Sequence, residues 1–141
     1  MLRNDFVATG LIINDSGNKI LLVFHKKLKK WLPPGGHLES NELPHEAAIR
    51  EIYEETKLMP TLIEQPPRIF NTNERELPLP YMILHEYIPI HGTEEAHTHV
   101  DFIYIFRSSE GSVSLQTSEI VDAKWFELDE VMACDTHVIL M

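Results

Sequence analysis

The chain reads as a mixed α/β (α+β) domain, a mixed β-sheet with helices packed on it. Three observations predict this. Short runs rich in β-branched and aromatic residues recur along most of the chain, one stretch between them has a helical period, and a second helical start lies near Asp129. The 141 residues suffice for one core and are too few for two ordinary domains, so residues 1–141 are expected to form a single domain.

Taken in order, "FVATGLIIN" and "KILLVFH" are β-rich runs joined by the turn signal "NDSGN", which predicts an antiparallel pair. "WLPPGGHLES" then reads as a Pro/Gly loop. "NELPHEAAIREIYEET" has helical periodicity, with Ser40 or Asn41 as N-cap and Pro44 in the first turn, where proline is tolerated. Further strands are expected at "TLIEQ", "YMILHEYIPI", "HVDFIYIF" and "AKWFEL". No repeat, low-complexity tract or linker divides the chain.

Composition excludes several classes. The hydrophobic share of 43% is that of a folded globular protein. No stretch approaches the roughly 20 apolar residues of a membrane span, and "MLRNDF" lacks a signal-peptide core, so the expected location is cytoplasmic and no membrane partner is expected. Cys134 is alone, which excludes an internal disulfide and a cysteine metal cluster. The net charge of −10 argues against binding a nucleic-acid backbone, where clustered Lys and Arg supply most of the affinity. An anionic small ligand would need bridging cations, or the basic run "HKKLKKW" at residues 25–31, whose plainer reading is a solvated loop.

The helix carries the first chemical clue. Glu51, Glu54 and Glu55 fall within an arc of about 100°, while Ala48, Ile49, Ile52 and Tyr53 form an apolar arc, so the helix would pack and still expose its acids. Each close Glu pair repels by about 1 kcal/mol in water and roughly three or four times that at an effective dielectric near 20. Arg50 neutralises part of this charge. Divalent cations would neutralise all of it, with oxygen ligands of the type Mg²⁺ prefers. A solvated acidic face is the alternative; the preceding Gly35 and Gly36, which allow a tight turn and close approach of an ion, favour a metal cradle.

Gly36, Glu42, Arg50, Glu51, Ile52, Glu54, Glu55 and Leu58 match the pattern G-x5-E-x7-R-E-U-x-E-E-x-G-U, where U is bulky and aliphatic. This span resembles the Nudix box, and the flanking "WLPPGG" and "EIVDAKWF" are similar to segments common in that family. The departure is Lys57 in place of glycine. A non-glycine residue in a left-handed conformation there costs on the order of 1 kcal/mol, partly offset by roughly 0.3–1 kcal/mol from a cation at a helix C-terminus.

The resemblance implies a Nudix-type α/β/α sandwich with a mixed β-sheet, and metal-dependent hydrolysis of the pyrophosphate link in a nucleoside diphosphate joined to another group. It implies Mg²⁺ or Mn²⁺ as cofactor, held by Glu51, Glu54, Glu55 and the Gly35 carbonyl. Glu119, six residues before Trp125, matches a downstream acid that binds metal in some members. Glu42 and Arg50 are implied to pair, fixing the loop to the helix and orienting Glu51. Glu51, Glu55 and Glu119 are the candidates for the general base. Such cations neutralise phosphate oxygens and lower the pKa of water, which is what a charged pyrophosphate demands of a hydrolase.

A second constellation is "EEAHTHVDF". On a strand, His97, His99 and Asp101 share one face, and Val100, Phe102, Tyr104 and Phe106 the other. At a pocket mouth the two histidines would contact phosphate or base, with Glu94 or Glu95 as an alternative general base; the plainer reading is a solvated strand start. Two His at i,i+2 are too few to claim a zinc site. Trp31 and Trp125 read as packing residues, and Phe70, Tyr81 and Tyr87 as unplaced candidates to stack on a base.

Two other functions compete. A non-catalytic nucleotide sensor on the same fold would usually have lost box acids, and none is lost. A prenyl diphosphate isomerase, found on a related fold, normally needs a reactive cysteine and a longer chain, and Cys134 lies near the C-terminus. Dimers are common in the resembled family, but no sequence feature decides the oligomeric state or the nucleoside diphosphate derivative.

Overall fold

The computed structural model of the chain describes residues 1–111, 113–115 and 119–133. Strands β1 (Asn4–Asn14) and β2 (Lys19–His25) form the expected antiparallel pair, with Ile12 opposite Leu21. The turn between them is fixed by buried Asn14, whose Oδ1 accepts from the backbone N–H groups of Asn18 and Lys19, both at 2.9 Å. Gly17 supplies the positive φ of 75° that this turn requires.

The expected Pro/Gly loop holds two short strands instead, β3 (Lys30–Leu32) on β2 and β4 (Gly35–His37) on β1. Gly35 and Gly36 are therefore extended rather than turning. Their missing side chains serve close approach: a Cβ on Gly35 would lie 2.5 Å from the Ala8 carbonyl oxygen.

Helix α1 (Pro44–Thr56) follows. Its N-cap is Leu43, not Ser40 or Asn41, because Pro44 occupies the first turn and the Glu46 carboxylate reaches back to accept from the Leu43 N–H at 2.9 Å. The apolar arc is also rotated from the expected one. Ala47, Ala48 and Ile52 are fully buried, whereas Ile49 and Tyr53 are exposed. Small residues let the helix lie close to the sheet, where a Cβ on Gly10 would meet Ile52 Cδ1 at 2.5 Å. In this orientation Glu55 lies on the packed face and is itself buried.

The remaining strands are β5 (Thr61–Leu62), β6 (Met82–Ile88), β7 (His97–Ser108) and β8 (Ile120–Glu127). β5 is shorter than "TLIEQ" suggests, because Pro66 and Pro67 follow and cannot donate to a ladder. The sheet runs β3-β2-β1-β7-β5, with β4 on β1, β6 on β7 and β8 on β2. β1 and β7 are parallel over their whole shared length and the other pairings are antiparallel, so the sheet is mixed.

Alternate residues of the central strands feed two cores. Ala8, Ile12, Leu21, Tyr104 and Phe106 pack under α1, while Leu11, Ile20, Leu22, Ile103 and Phe126 meet Val131 on the opposite face. Val131 belongs to a 3-10 helix, Leu128–Ala133, at the start expected for the last helix. The continuation of that helix and Cys134 lie outside the described residues. Among the described residues, no helix is long and apolar enough to cross a membrane.

Candidate active site

β1 pairs along one edge with β4 through Val7–Thr9 and with β2 through Ile12 and Ile13, so its partner changes halfway. The Gly10 N–H donates to the Pro34 carbonyl at 2.9 Å at this junction. Two adjoining cavities open beside it. The first, of about 460 Å³, is lined by Glu51, Glu55 and Glu119 with Gly35, Gly36, His25, His37 and Arg50. A Cβ on Gly36 would stand 2.5 Å from Glu51 Oε1, so this glycine makes room for a carboxylate.

Arg50 organises the acids from behind. Its Nε and Nη2 donate to Glu42 at 2.7 and 3.0 Å, its Nη1 to Glu51 at 2.9 Å and Glu54 at 3.2 Å, and its Nη2 also to the His37 carbonyl at 3.0 Å. The guanidinium pulls the Glu42 carboxyl below its ordinary range, and the hydrogen bond to Glu42 raises Arg50 itself. Glu54 is half exposed and, unlike Glu51 and Glu55, does not line this cavity.

Glu55 is in the opposite condition. It is 8% exposed, and its carboxyl is pushed up to about 9, first by burial and then by the adjacent Glu51. Among the described residues no Lys or Arg forms an ion pair with it; the Gly35 N–H donates to its Oε2 at 3.4 Å. A proton is therefore retained where two carboxylates face one another, and a hard divalent cation suits that oxygen donor set. Glu119 approaches from the start of β8, with its Oε2 3.8 Å from His25 Nε2 and its carbonyl accepting from the Lys26 N–H at 2.7 Å.

The second cavity, of about 370 Å³, is mostly apolar, with Val7, Leu11, Val23, Leu32, Met82, Leu84 and Ile103 in its wall. His99 and Asp101 also line it; Asp101 is 8% exposed and accepts from Thr9 Oγ1 at 2.8 and 3.0 Å. Burial, then the nearby His37 and His97, hold the His99 imidazole below its ordinary value. His97 is 3% exposed and does not line this cavity, so the solvated strand start does not describe His97 or Asp101. Strands on both sides flank this end of β7: parallel β1 places Asp5 opposite His99 and Val7 opposite Asp101, and antiparallel β6 places Glu86 opposite His99 and Leu84 opposite Asp101.

Sequence reasoning missed Asp5, Thr9 and His37, which carry no local signal and are brought in by β1 and β4, and it met His25 only as the first residue of the basic run. Trp31 packs edge-on between Phe24 and Phe126, at centroid distances of 5.3 and 5.0 Å, and Trp125 packs against the core under α1. Phe70, Tyr81 and Tyr87 are exposed and line neither cavity.

The comparisons agree with this geometry. A family model described as NUDIX domain matches residues 5–139. A hydrolase of the NUDIX family from Clostridium perfringens superimposes with a TM-score of 0.75 at 30% identity, covering 96% of this chain and 90% of that one. The E. coli dihydroneopterin triphosphate pyrophosphohydrolase shares the fold with a TM-score of 0.68 at 16% identity, over 96% and 90% of the two chains. A probable DHNTP pyrophosphohydrolase of Lactococcus lactis subsp. cremoris is 26% identical over 122 residues; this is 86% of the chain and spans 62% of that relative's length. With the mixed sheet, the acid-bearing helix and a family match over nearly its whole length, the chain belongs to the Nudix family.

Proposed function

We propose that this protein, as a single Nudix domain, hydrolyses the pyrophosphate link of a nucleoside diphosphate joined to another group, using Mg²⁺ or Mn²⁺. The observation that carries this reading is the facing pair Glu51 and Glu55, with Glu119 across the same cleft. The carboxylates of Glu51, Glu54, Glu55 and Glu119 and the Gly35 carbonyl are the oxygens that would hold the metal. Once bound, it supplies charge neutralisation of the phosphate oxygens and acidification of water.

The chain's own residues do the rest. Arg50 holds Glu51 and Glu54 in place while Glu42 anchors Arg50 to the segment before the helix. Glu51, Glu55 and Glu119 are the carboxylates able to take a proton from the attacking water, each on the wall of the same cleft. The adjoining apolar cavity suits the ring of the substrate, and His99 and Asp101 provide its polar contacts. The relatives' names make a pteridine triphosphate one substrate to test.

The test is release of phosphate, pyrophosphate or nucleoside monophosphate from a panel containing dihydroneopterin triphosphate, nucleotide sugars and dinucleoside polyphosphates, with and without Mg²⁺. Turnover that requires the metal and collapses in Glu54→Gln and Glu55→Gln supports the hydrolase. Nucleotide binding without turnover of any compound would replace it with a sensor.

A further inference from the structure

At the far end of β4 from Gly35, a second group of metal-ligand types converges from three segments. Asp5 comes from β1, His37 from β4 and His99 from β7, and a ligand atom of each lies within 4.8 Å of those of the other two. None of the three is a box carboxylate.

The contacts within this group have a specific geometry. His37 Nε2 is 3.3 Å from Asp5 Oδ2, and His97 Nε2 is 3.2 Å from His99 Nε2. Two ligand atoms on one tetrahedral Zn²⁺, each about 2.0–2.1 Å from the ion, are separated by about 3.3 Å. The Asp5–His37 pair therefore already stands at the length of a tetrahedral edge. The His97 ring stands behind this group and is itself fixed, with Nδ1 2.7 Å from the Glu95 carbonyl. A proton donated there leaves the His97 Nε2 lone pair to accept from His99 Nε2–H, which orients His99 and leaves its Nδ1 lone pair for an ion. A chain of hydrogen bonds explains each pair separately, but it gives no reason for Asp5, His37 and His99 to converge from three strands. Arg3 contacts Asp5 through Nε to Oδ1 at 2.7 Å and Nη2 to Oδ2 at 3.1 Å, so it orients this carboxylate and would give up only the Oδ2 contact to an ion.

We propose that Asp5, His37 and His99 form a Zn²⁺ site with three protein ligands and an open fourth position, beside the acid cleft and separate from its carboxylates. Nitrogen-rich ligands select Zn²⁺ or a similar transition metal over Mg²⁺, so the two sites would sort their ions by donor type. The proposal does not depend on the hydrolase reading.

The test is binding of Zn²⁺ to the chelator-stripped full chain by calorimetry, with Co²⁺ visible absorption reporting coordination geometry. One equivalent of Zn²⁺ should bind to wild type, resist excess Mg²⁺, and persist in a Glu51→Gln, Glu54→Gln, Glu55→Gln triple variant. His99→Ala and His37→Ala should each weaken it by at least about tenfold and remove the tetrahedral Co²⁺ spectrum. His37 is exposed, so its replacement leaves packing intact, and an unchanged metal-free melting temperature would confirm that. Loss of Zn²⁺ binding in the triple variant, or wild-type affinity in His37→Ala and His99→Ala, would overturn the proposal.

Discussion

Glu55 is buried beside Glu51, and in the metal-free protein the neutral acid is favoured because charging it would place a second anion where water is scarce. Its folded value of about 9 lies above the ordinary 4.5, so between those limits the folded state holds a proton that the unfolded state has released. Stability from this group is complete below about pH 4.5 and is lost as pH rises toward 9. Glu42 has the opposite sign: held down by Arg50, it stabilises above its ordinary pKa and loses that contribution as pH falls. Glu55→Gln should therefore raise the metal-free stability at pH 8, on the order of 2 kcal/mol, while eliminating turnover. Chemical denaturation at pH 5 and pH 8 checks the first effect, because the gain should nearly vanish at the lower pH. No gain at pH 8 would mean that Glu55 is already ionised.

Where β4 meets α1, glycine is required by a neighbouring side chain and not by its own backbone. Gly36→Ala would push a methyl group against Glu51, and displacement of a reacting group by about 1 Å commonly costs on the order of 100-fold in rate. Steady-state kinetics should show that fall in kcat, and an unchanged kcat would remove Gly36 from the site's design. The other end of the helix behaves differently. Lys57 has φ 63° and caps α1 by donating its N–H to the Tyr53 carbonyl, while its Nζ sits 4.4 Å from the Tyr53 ring centroid. Relief of left-handed strain and loss of that contact partly cancel, so Lys57→Gly should stabilise by about 0.5 kcal/mol, a rise of a few degrees at most in thermal melting. The strand runs and this helix were legible because their side-chain periods are local properties. The pairing of Gly35–His37 with β1 was not, since its cause is the absence of Cβ atoms opposite a distant strand. Ile49 and Tyr53 were misassigned to the packed face because periodicity defines an arc but not which side of it the sheet takes.

Across the whole molecule, the sheet separates two cores and α1 closes one of them through Ile52, which lies against Gly10 and is fully buried. Ile52→Ala should cost about 2–5 kcal/mol and lower the melting temperature, with loss of activity following stability and not preceding it. A variant that melts like wild type would show that the helix is held by its polar contacts instead. At this scale most of the acid cleft was readable from one contiguous segment, because Glu51 and Glu55 share a helix, while Glu119 comes in from the start of β8. The apolar cavity and the Asp5, His37 and His99 group were not, because they exist only after β1 and β7 run side by side. The fork in the edge of β1 gives these two parts separate owners: the acids sit on α1 and the start of β8, whereas much of the apolar wall comes from β2, β3 and β6. Substitutions at Leu32, Met82 or Leu84 can thus change which molecule is admitted without moving a carboxylate. Inheritance of the hydrolytic half and drift of the other would let descendants of one ancestral gene diverge in diet while keeping the same teeth.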